Sequence, residues 1–374
     1  MKRDIRSALI VCTRRIGDVL LATPVARSLK IAFPDIVIDM LVFEGTQEVV
    51  SSWKDLRRIW TISEQPSIGG QLRLLRSIWR RYDLALSVLA GDRPTFHAWA
   101  AGRYRIGTLL PDKKSRWKRS LLDEWVPFDN LNVHTVAMNL RSLAPLEIPP
   151  IATPVVSWSH DDEEAVQREF PEMAGGQPYA VLHVSPKFSY KAWTVAGWSA
   201  LARWLVDHRL TVVVTGGTSS EERSYLSTVM RQMPAGSVDL AGRLRLPALG
   251  CLLSRAALYV GTDTAVSHMA AAIGASTIVL FGPSNPVKWG PWPKGFPVGA
   301  QSPWHTHGSQ RQGNVFLLQG EGDCVPCLSE GCDRHVRSLS DCLQKLPVSR
   351  VIAAAEVMLA SKNLCQGEQI AKVS

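Results

Sequence analysis

YVGTDTAVSHMAAAIGASTIVLFG, residues 259–282, reads as strand, polar turn, helix and strand. Residues 257–260 are a short apolar segment and 276–281 another, rich in β-branched side chains. Between them, 264–273 repeats small and apolar residues at helical spacing and stops at Gly274, the residue type that most readily ends a helix. This predicts a strand–helix–strand unit with Asp263, Thr264 and His268 at or near the helix N-terminus, at the C-terminal end of a strand. Ligands of open α/β sheets bind there, and the free N–H groups of a helix start attract anions. Asp and Thr also cap helices routinely. Capping does not call for a histidine one turn further on, so an anion site is the stronger expectation.

A chain of 374 residues exceeds the usual single core, which makes two domains the default. With 46% hydrophobic and 20% charged residues it can fill real cores and does not resemble a disordered chain. No apolar run is long enough to cross a bilayer. The start, MKRDIRSALIVCTRR, has five apolar residues before Arg14 and Arg15, too few for a signal peptide, and reads as a first strand. A cytoplasmic protein is expected.

The net charge of +9 is uneven: residues 1–150 carry 23 Lys+Arg against 15 Asp+Glu. The excess is densest in RYRIGTLLPDKKSRWKRS (103–120), where seven bases face the single acid Asp112. Such a block is either a solvated loop or a face for an anionic partner. Tyr104 and Trp117, interleaved among the bases, keep the binding face in play. Nucleic acid is not expected, because the bases form no recognised reader motif. The 13 tryptophans are read mainly as core or interface residues.

Seven cysteines in a cytoplasmic chain argue against a disulfide framework. Cys12 and Cys251 read as packing residues. Cys324, Cys327, Cys332 and Cys342 form C-x2-C-x4-C-x9-C, a set able to bind a structural zinc ion, but the spacing matches no standard finger. Reduced structural thiols or a redox-labile pair are the alternatives.

Along the chain, strand and helix alternate. The first half reads as strand 8–13, helix 20–33, strand 36–43, helix 71–81 and strands 84–89 and 105–107. Proline and glycine interrupt the pattern at 148–178 around an acidic helix, DDEEAVQREF. The second half reads as strand 179–184, helix 194–207, strand 210–216, helix 220–232 and the opening segment. A helix at 348–359 precedes a polar tail expected to be mobile. The expected domains are therefore 1–160 and 175–345, with 346–374 as helix and tail. Two doubly wound parallel-sheet domains would leave a cleft between their strand ends.

Three further segments fall at strand ends. Arg14-Arg15-Ile16-Gly17-Asp18-Val19 puts a glycine and a carboxylate after the first strand, as an N-cap or as a general base toward a hydroxyl. Ser185–Trp193 carries Lys187 and Lys191, suited to phosphate or to solvent. Gly216-Gly217-Thr218 precedes Glu221 and Glu222, which suit a helix dipole and can also hold ribose hydroxyls. G-x-G-x-x-G and Walker A loops are absent.

Taken in order, R-x-x-G-D-V-L-L-x-T-P (14–24), S-x-x-x-x-x-K-x-W (185–193), L-A-G-R (240–243), D-T-A-x-x-H-x-A-A-A (263–272) and F-G-P-S-N-P (281–286) resemble glycosyltransferase family 9. These are the ADP-heptose:lipopolysaccharide heptosyltransferases, and the resemblance runs from about residue 8 to about 358. Gly45-Thr46, HTVAMNLRSLAPLEI (134–148) and Lys288-Trp289-Gly290-Pro291-Trp292 look most like the heptosyltransferase III branch.

The resemblance implies a GT-B fold of two Rossmann-like domains, the acceptor on the first and the nucleotide sugar on the second. It implies inverting transfer of heptose from ADP-L-glycero-β-D-manno-heptose to the lipopolysaccharide inner core, with no cofactor or essential metal, at the cytoplasmic face of the inner membrane. Asp18 matches the catalytic base and Lys191 the phosphate-binding lysine. Asp263, Thr264 and Ala265 match the helix start at the diphosphate and heptose, with His268 close behind; Glu221 matches the ribose ligand, and Leu244 lies near adenine. Ala265 departs from the glycine of many members, and its methyl group narrows the donor's approach. Arg15, Gly17, Arg103, Lys113, Lys114 and Arg116 are the candidates for the anionic lipid A–inner-core acceptor, and the basic first half for the anionic inner leaflet. The alternatives are a GT-B enzyme using another nucleotide sugar in cell-surface polysaccharide synthesis and a non-catalytic module binding anionic glycolipid.

Overall fold

A computed structural model of the chain describes residues 4–299 and 301–371. They form two compact units, one of residues 4–157 with 296–299, 301 and 302, and one of 158–295 with 303–371.

In the first unit, β1 (Ser7–Cys12), α1 (Ile16–Ala32), β2 (Val37–Phe43), β3 (Leu56–Ile62), α2 (Ile68–Ile78), β4 (Tyr82–Ser87), α3 (Asp92–Ala101), β5 (Gly102–Leu109), β6 (Glu124–Pro127) and α4 (Thr135–Leu140) follow one another. The six strands are parallel in the order β3-β2-β1-β4-β5-β6. Five of the six residues of β1 are fully buried, because helices cover both faces of a parallel sheet. The edge strand β3 alternates poorly and exposes Arg57 and Arg58. Buried Asp39 on β2 holds it through Arg57 (2.6 and 3.0 Å), with the Tyr82 hydroxyl donating to the same carboxylate.

The helix α1 begins at Ile16, four residues before the expected start. Its Pro24 has no N–H to offer the Leu20 carbonyl. The Thr23 hydroxyl donates to that carbonyl instead at 2.7 Å, and Asn139 on α4 donates to the Leu21 carbonyl at 2.9 Å. The proline is thus accommodated inside the helix, and α4 is fixed against it. Residues 296–302 rejoin this unit, with Gln301 accepting from the His134 N–H.

The second unit contains α5 (His160–Glu169), β7 (Tyr179–Ser185), α6 (Val195–Asp207), β8 (Thr211–Gly216), α7 (Ser220–Met230), β9 (Val238–Asp239), α8 (Leu246–Arg255), β10 (Leu258–Thr262), α9 (Ala265–Ile273) and β11 (Thr277–Phe281). Then come α10 (Pro286–Trp289), β12 (Gln310–Gln312), β13 (Val315–Gln319), α11 (Asp341–Gln344) and α12 (Val348–Ala371). The sheet order is β12-β13-β11-β10-β7-β8-β9, parallel except for the β12–β13 pair. Every residue of β7, β10 and β11 is buried. Trp193 and Trp198 meet edge to face in the core at 5.0 Å. The helix expected to end at 359 continues to Ala371, replacing most of the anticipated tail; 372–374 lie outside the described residues.

Candidate active site

Each sheet has a topological switch point. In the second unit the chain builds β7, β8 and β9 outward, then crosses back to place β10 on the other side of β7. The loops after β7 and β10 therefore diverge from neighbouring strand ends, the geometry that opens a ligand crevice. Lys191 and Asp263 meet there. The Lys191 ammonium donates to Asp263 Oδ2 at 2.5 Å and to the Asp263 carbonyl at 3.1 Å. An ammonium has three N–H donors, so one remains for a ligand. Burial alone would raise the Asp263 carboxyl, but Lys191 and a hydrogen bond from Ser284 outweigh it and hold the group below the usual carboxylate range. Ser284, in the loop after β11, is the serine of the F-G-P-S-N-P motif, to which the sequence alone assigns no partner. Its serine-in-a-turn signal is common, and only the fold brings it to Asp263.

The helix α9 starts one residue after Thr264. Thr264 occupies the N-cap position, yet its side chain makes no capping bond. The first-turn N–H groups thus keep their positive partial charge unmatched by a side chain. Ser267 locks this turn onto β10, donating to the Thr262 carbonyl at 2.5 Å and meeting the Tyr259 hydroxyl at 2.9 Å. His268 is buried on the next turn. Burial drives its pKa down to about 4 against the opposing pull of Asp263, and its Nδ1 makes no hydrogen bond. It is a neutral imidazole at pH 7. Ala265 is the first helical residue and partly exposed, so its methyl group stands beside the N–H groups. Gly274 ends the helix at φ +97°, as expected.

The structure separates the two glutamates after β8. Glu222 closes a capping box with Ser219, accepting from its hydroxyl at 2.6 Å and its N–H at 3.2 Å. A Cβ on Gly217 would lie 2.1 Å from that carboxylate, which explains the glycine. Exposed Glu221 is contacted by the Ser220 hydroxyl at 3.4 Å. Leu244 is half-buried in the turn after β9. That turn reaches the β8 loop at Gly242, whose Cβ would lie 2.9 Å from the Thr218 methyl. Lys191, Asp263, Glu221 and Leu244 all follow the C-terminal ends of neighbouring strands, Glu221 in the first turn of α7 and the others in the connecting segments.

In the first unit the switch point lies between β1 and β4. Asp18 belongs to the first turn of α1, after β1, and is buried with Arg14 Nε 3.6 Å from its carboxylate. It is not the N-cap residue, which is Arg15. The exposed Arg15 and half-buried Gly17 flank it. Lys113, Lys114 and Arg116 are exposed on a 3-10 helix (Lys113–Leu121) that follows β5, at the same strand-end edge. Arg103 does not join them. It sits near the amino-terminal end of β5 and pairs with Asp83 at 3.1 Å, on the opposite edge of the sheet from Asp18. The basic block is further divided by local partners: Arg105 with Asp123, Lys118 with Asp92, and Arg119 over the Trp125 ring.

Cys324, Cys327 and Cys332 are exposed free thiols and Cys342 a buried one, pushed up to about 11 by burial and then by the neighbouring thiols. Among the described residues no group of three or more His, Cys, Asp or Glu is placed to hold a metal ion. Cys12 and Cys251 are fully buried in the cores.

Two Rossmann-like units, each bearing its polar groups at the switch point of a parallel sheet, define an enzyme of the GT-B glycosyltransferase class. Residues 73–312 match the model of glycosyltransferase family 9 (heptosyltransferase), and the chain belongs to that family. It is 28% identical over 360 residues to lipopolysaccharide heptosyltransferase 3 of Escherichia coli strain K12, covering 92% of this chain and 95% of that one. Lipopolysaccharide heptosyltransferase 1 of Pseudomonas aeruginosa is 25% identical, with 94% and 97% covered. Among solved structures, a family 9 glycosyl transferase from Veillonella parvula superposes with a TM-score of 0.76 at 17% identity, covering 96% of this chain and 99% of that one. An E. coli heptosyltransferase with ADP gives 0.69 at 17%, with 94% and 99% covered.

Proposed function

We propose that this enzyme transfers heptose from ADP-L-glycero-β-D-manno-heptose to the inner core of lipopolysaccharide, inverting the anomeric centre. The observation that carries the donor half is the Lys191–Asp263 pair beside the uncapped start of α9, at the switch point of the second sheet. In this reading Asp263 does not face the diphosphate as a bare anion. It orients Lys191, whose remaining N–H and the N–H groups of α9 take the phosphate oxygens. As the bond between the anomeric carbon and the phosphate oxygen breaks, negative charge grows on departing ADP, and these donors stabilise it. His268, held neutral, adds no competing charge. Glu221 takes the ribose hydroxyls, since Glu222 is spent in its cap.

Asp18 is the proposed base: its carboxylate removes the proton from the acceptor hydroxyl as that oxygen attacks the anomeric carbon. Lys113, Lys114 and Arg116, with Arg15, meet the carboxylates and phosphates of the acceptor. No metal enters these steps. The acceptor is lipid-anchored, and the excess positive charge of residues 1–150 supports work at the cytoplasmic face of the inner membrane. No described helix is long and apolar enough to cross it.

The test is turnover with ADP-heptose and a purified inner-core acceptor, set against UDP-sugars. Asp18→Ala is expected to lower turnover at least about a thousandfold while ADP affinity stays within about twofold. Turnover with a UDP-sugar alone would move the enzyme to another donor; near-normal transfer by the variant would remove Asp18 as base.

A further inference from the structure

Helix α2 and the residue after it carry an apolar stripe that the first unit does not cover. Ile68, Leu72, Leu75 and Trp79 recur at the i, i+4, i+7, i+11 spacing of one helical face, while Leu74 and Ile78 make the buried face. Ile68 is 83% exposed, Leu72 47% and Trp79 52%. The stripe continues onto α3: Trp79 meets Trp99 edge to face at 5.4 Å, and Trp99 stacks on Phe96 at 5.1 Å, itself 38% exposed. A polar helix face would be the ordinary content of such positions.

The charges beside the stripe are mainly cationic; the acid among them, Asp92 at the start of α3, is paired with Lys118. Helix α2 contains no acidic residue. Arg73 and Arg76 flank the stripe on one side. On the other, where Gln71 contacts His97 of α3 at 2.9 Å, Arg93 lines an open groove of about 530 Å³ with Ile68 and Leu72. Lys118 pairs with Asp92 at 2.7 Å, one turn from Phe96, which holds the 3-10 helix against the start of α3. Apolar side chains in line with a mainly cationic border fit an anionic lipid surface, where the rings and aliphatic chains enter the headgroup boundary and the guanidinium groups take lipid phosphates.

We propose that the face formed by Ile68, Leu72, Trp79 and Phe96, bordered by Arg73, Arg76 and Arg93, docks the first unit onto an anionic bilayer. The inference rests on the reading of a lipid-anchored acceptor and names the surface that serves it.

The experiment is co-sedimentation of the full chain with vesicles of phosphatidylethanolamine and 30% phosphatidylglycerol, or of phosphatidylcholine alone. Binding is expected to the anionic vesicles and to fall with salt. Arg73→Gln and Arg76→Gln should each weaken it about fivefold, and Ile68→Ser with Trp79→Ser at least about tenfold. Thermal unfolding should be unchanged in the arginine variants, and the Ile68→Ser with Trp79→Ser variant, which also loses the Trp79–Trp99 contact, is assayed below its own unfolding transition. Transfer to a water-soluble, deacylated acceptor is measured in parallel and should also be unchanged. Transfer by the wild type without vesicle binding, or variants that bind vesicles normally, would overturn the docking face and leave the transferase reading intact. Vesicle binding lost in the variants, with no heptose transfer by any form, would sustain the face and sink the donor–acceptor reading. A shift from dimer to monomer in the variants, or binding to polyglutamate in place of vesicles, would make the face a protein interface and overturn the proposal.

Discussion

At the residue scale, the centre of the proposed donor half is a pair of side chains 72 positions apart in sequence, Lys191 and Asp263. Each was legible alone, as a lysine and a carboxylate after a strand; their meeting was not, because only the crossover that sets β10 beside β7 joins them. The same limit produced the misplacement of Arg103. Clustering along a sequence is not clustering in space when part of the cluster lies on a strand entering the sheet and part follows the strand's exit. The pair also makes a stability prediction. Asp263 is 8% exposed, and without Lys191 it is a buried carboxylate with most of its compensation gone. Lys191→Met is expected to cost about 3 kcal/mol at pH 7, as well as raising the donor KM. In the wild type the Asp263 contribution is present above the ordinary carboxylate pKa and is lost as pH falls through its lowered folded value. In the variant, burial no longer has its main opponent, the carboxyl titrates at higher pH, and the deficit should shrink on acidification. Urea unfolding at pH 7 and pH 5 measures both; a deficit that is absent, or that grows in acid, counts against the pairing.

Among the elements, long buried strands and strongly periodic helices were legible, and the opening stretch gives β10, α9 and β11 within a residue or two of their ends. What was missed has a common cause. Strand β3 lies at a sheet edge, where one side is unpaired and LRRIWTI need not alternate. Helix α3 carries Pro94 and few large apolar residues. The start of α1 is concealed because Arg14–Val19, with Gly17, looks like a turn. That helix accommodates Pro24, since Thr23 and Asn139 satisfy carbonyls near the proline, and the consequence is positional: Asp18 sits inside the first turn of a helix, not in a loop. Edge strand β3 supplies the element-scale prediction. Its tie to the sheet runs through Arg57 and the fully buried Asp39, which also accepts from Tyr82 and Trp60. Arg57→Leu leaves that carboxylate short of its cation and should cost about 2 kcal/mol, less than for a fully buried pair because the guanidinium is half-exposed. Hydrogen exchange should show the loss concentrated in β2 and β3. Protection unchanged in those strands would mean that the edge is held by apolar packing alone.

At the scale of the whole molecule, three buried histidines make acid stability a property of both units. His97 in the first unit, and His183 and His268 in the second, are each pushed by burial to a pKa of about 4. An unfolded histidine titrates near 6.5. Between the two values the unfolded chain takes up protons that the folded chain refuses, so stability rises with pH across that window and is complete only above it. Three such groups give a slope of roughly 4 kcal/mol per pH unit near pH 5 if the chain unfolds in one step. If the units unfold separately, the first should show about a third of that slope, from His97, and the second about two thirds, from His183 and His268. Calorimetry from pH 7.5 down to 5 distinguishes the cases. His97→Gln should flatten the dependence of the first unit without altering that of the second. His268 is the informative member, because it lies beside the Lys191–Asp263 pair and its neutrality keeps a competing cation from that carboxylate. A melting temperature indifferent to pH over this range would mean that these rings titrate in the fold as they do in the unfolded chain, and the burial-driven neutrality of His268 below pH 6 would fail with them.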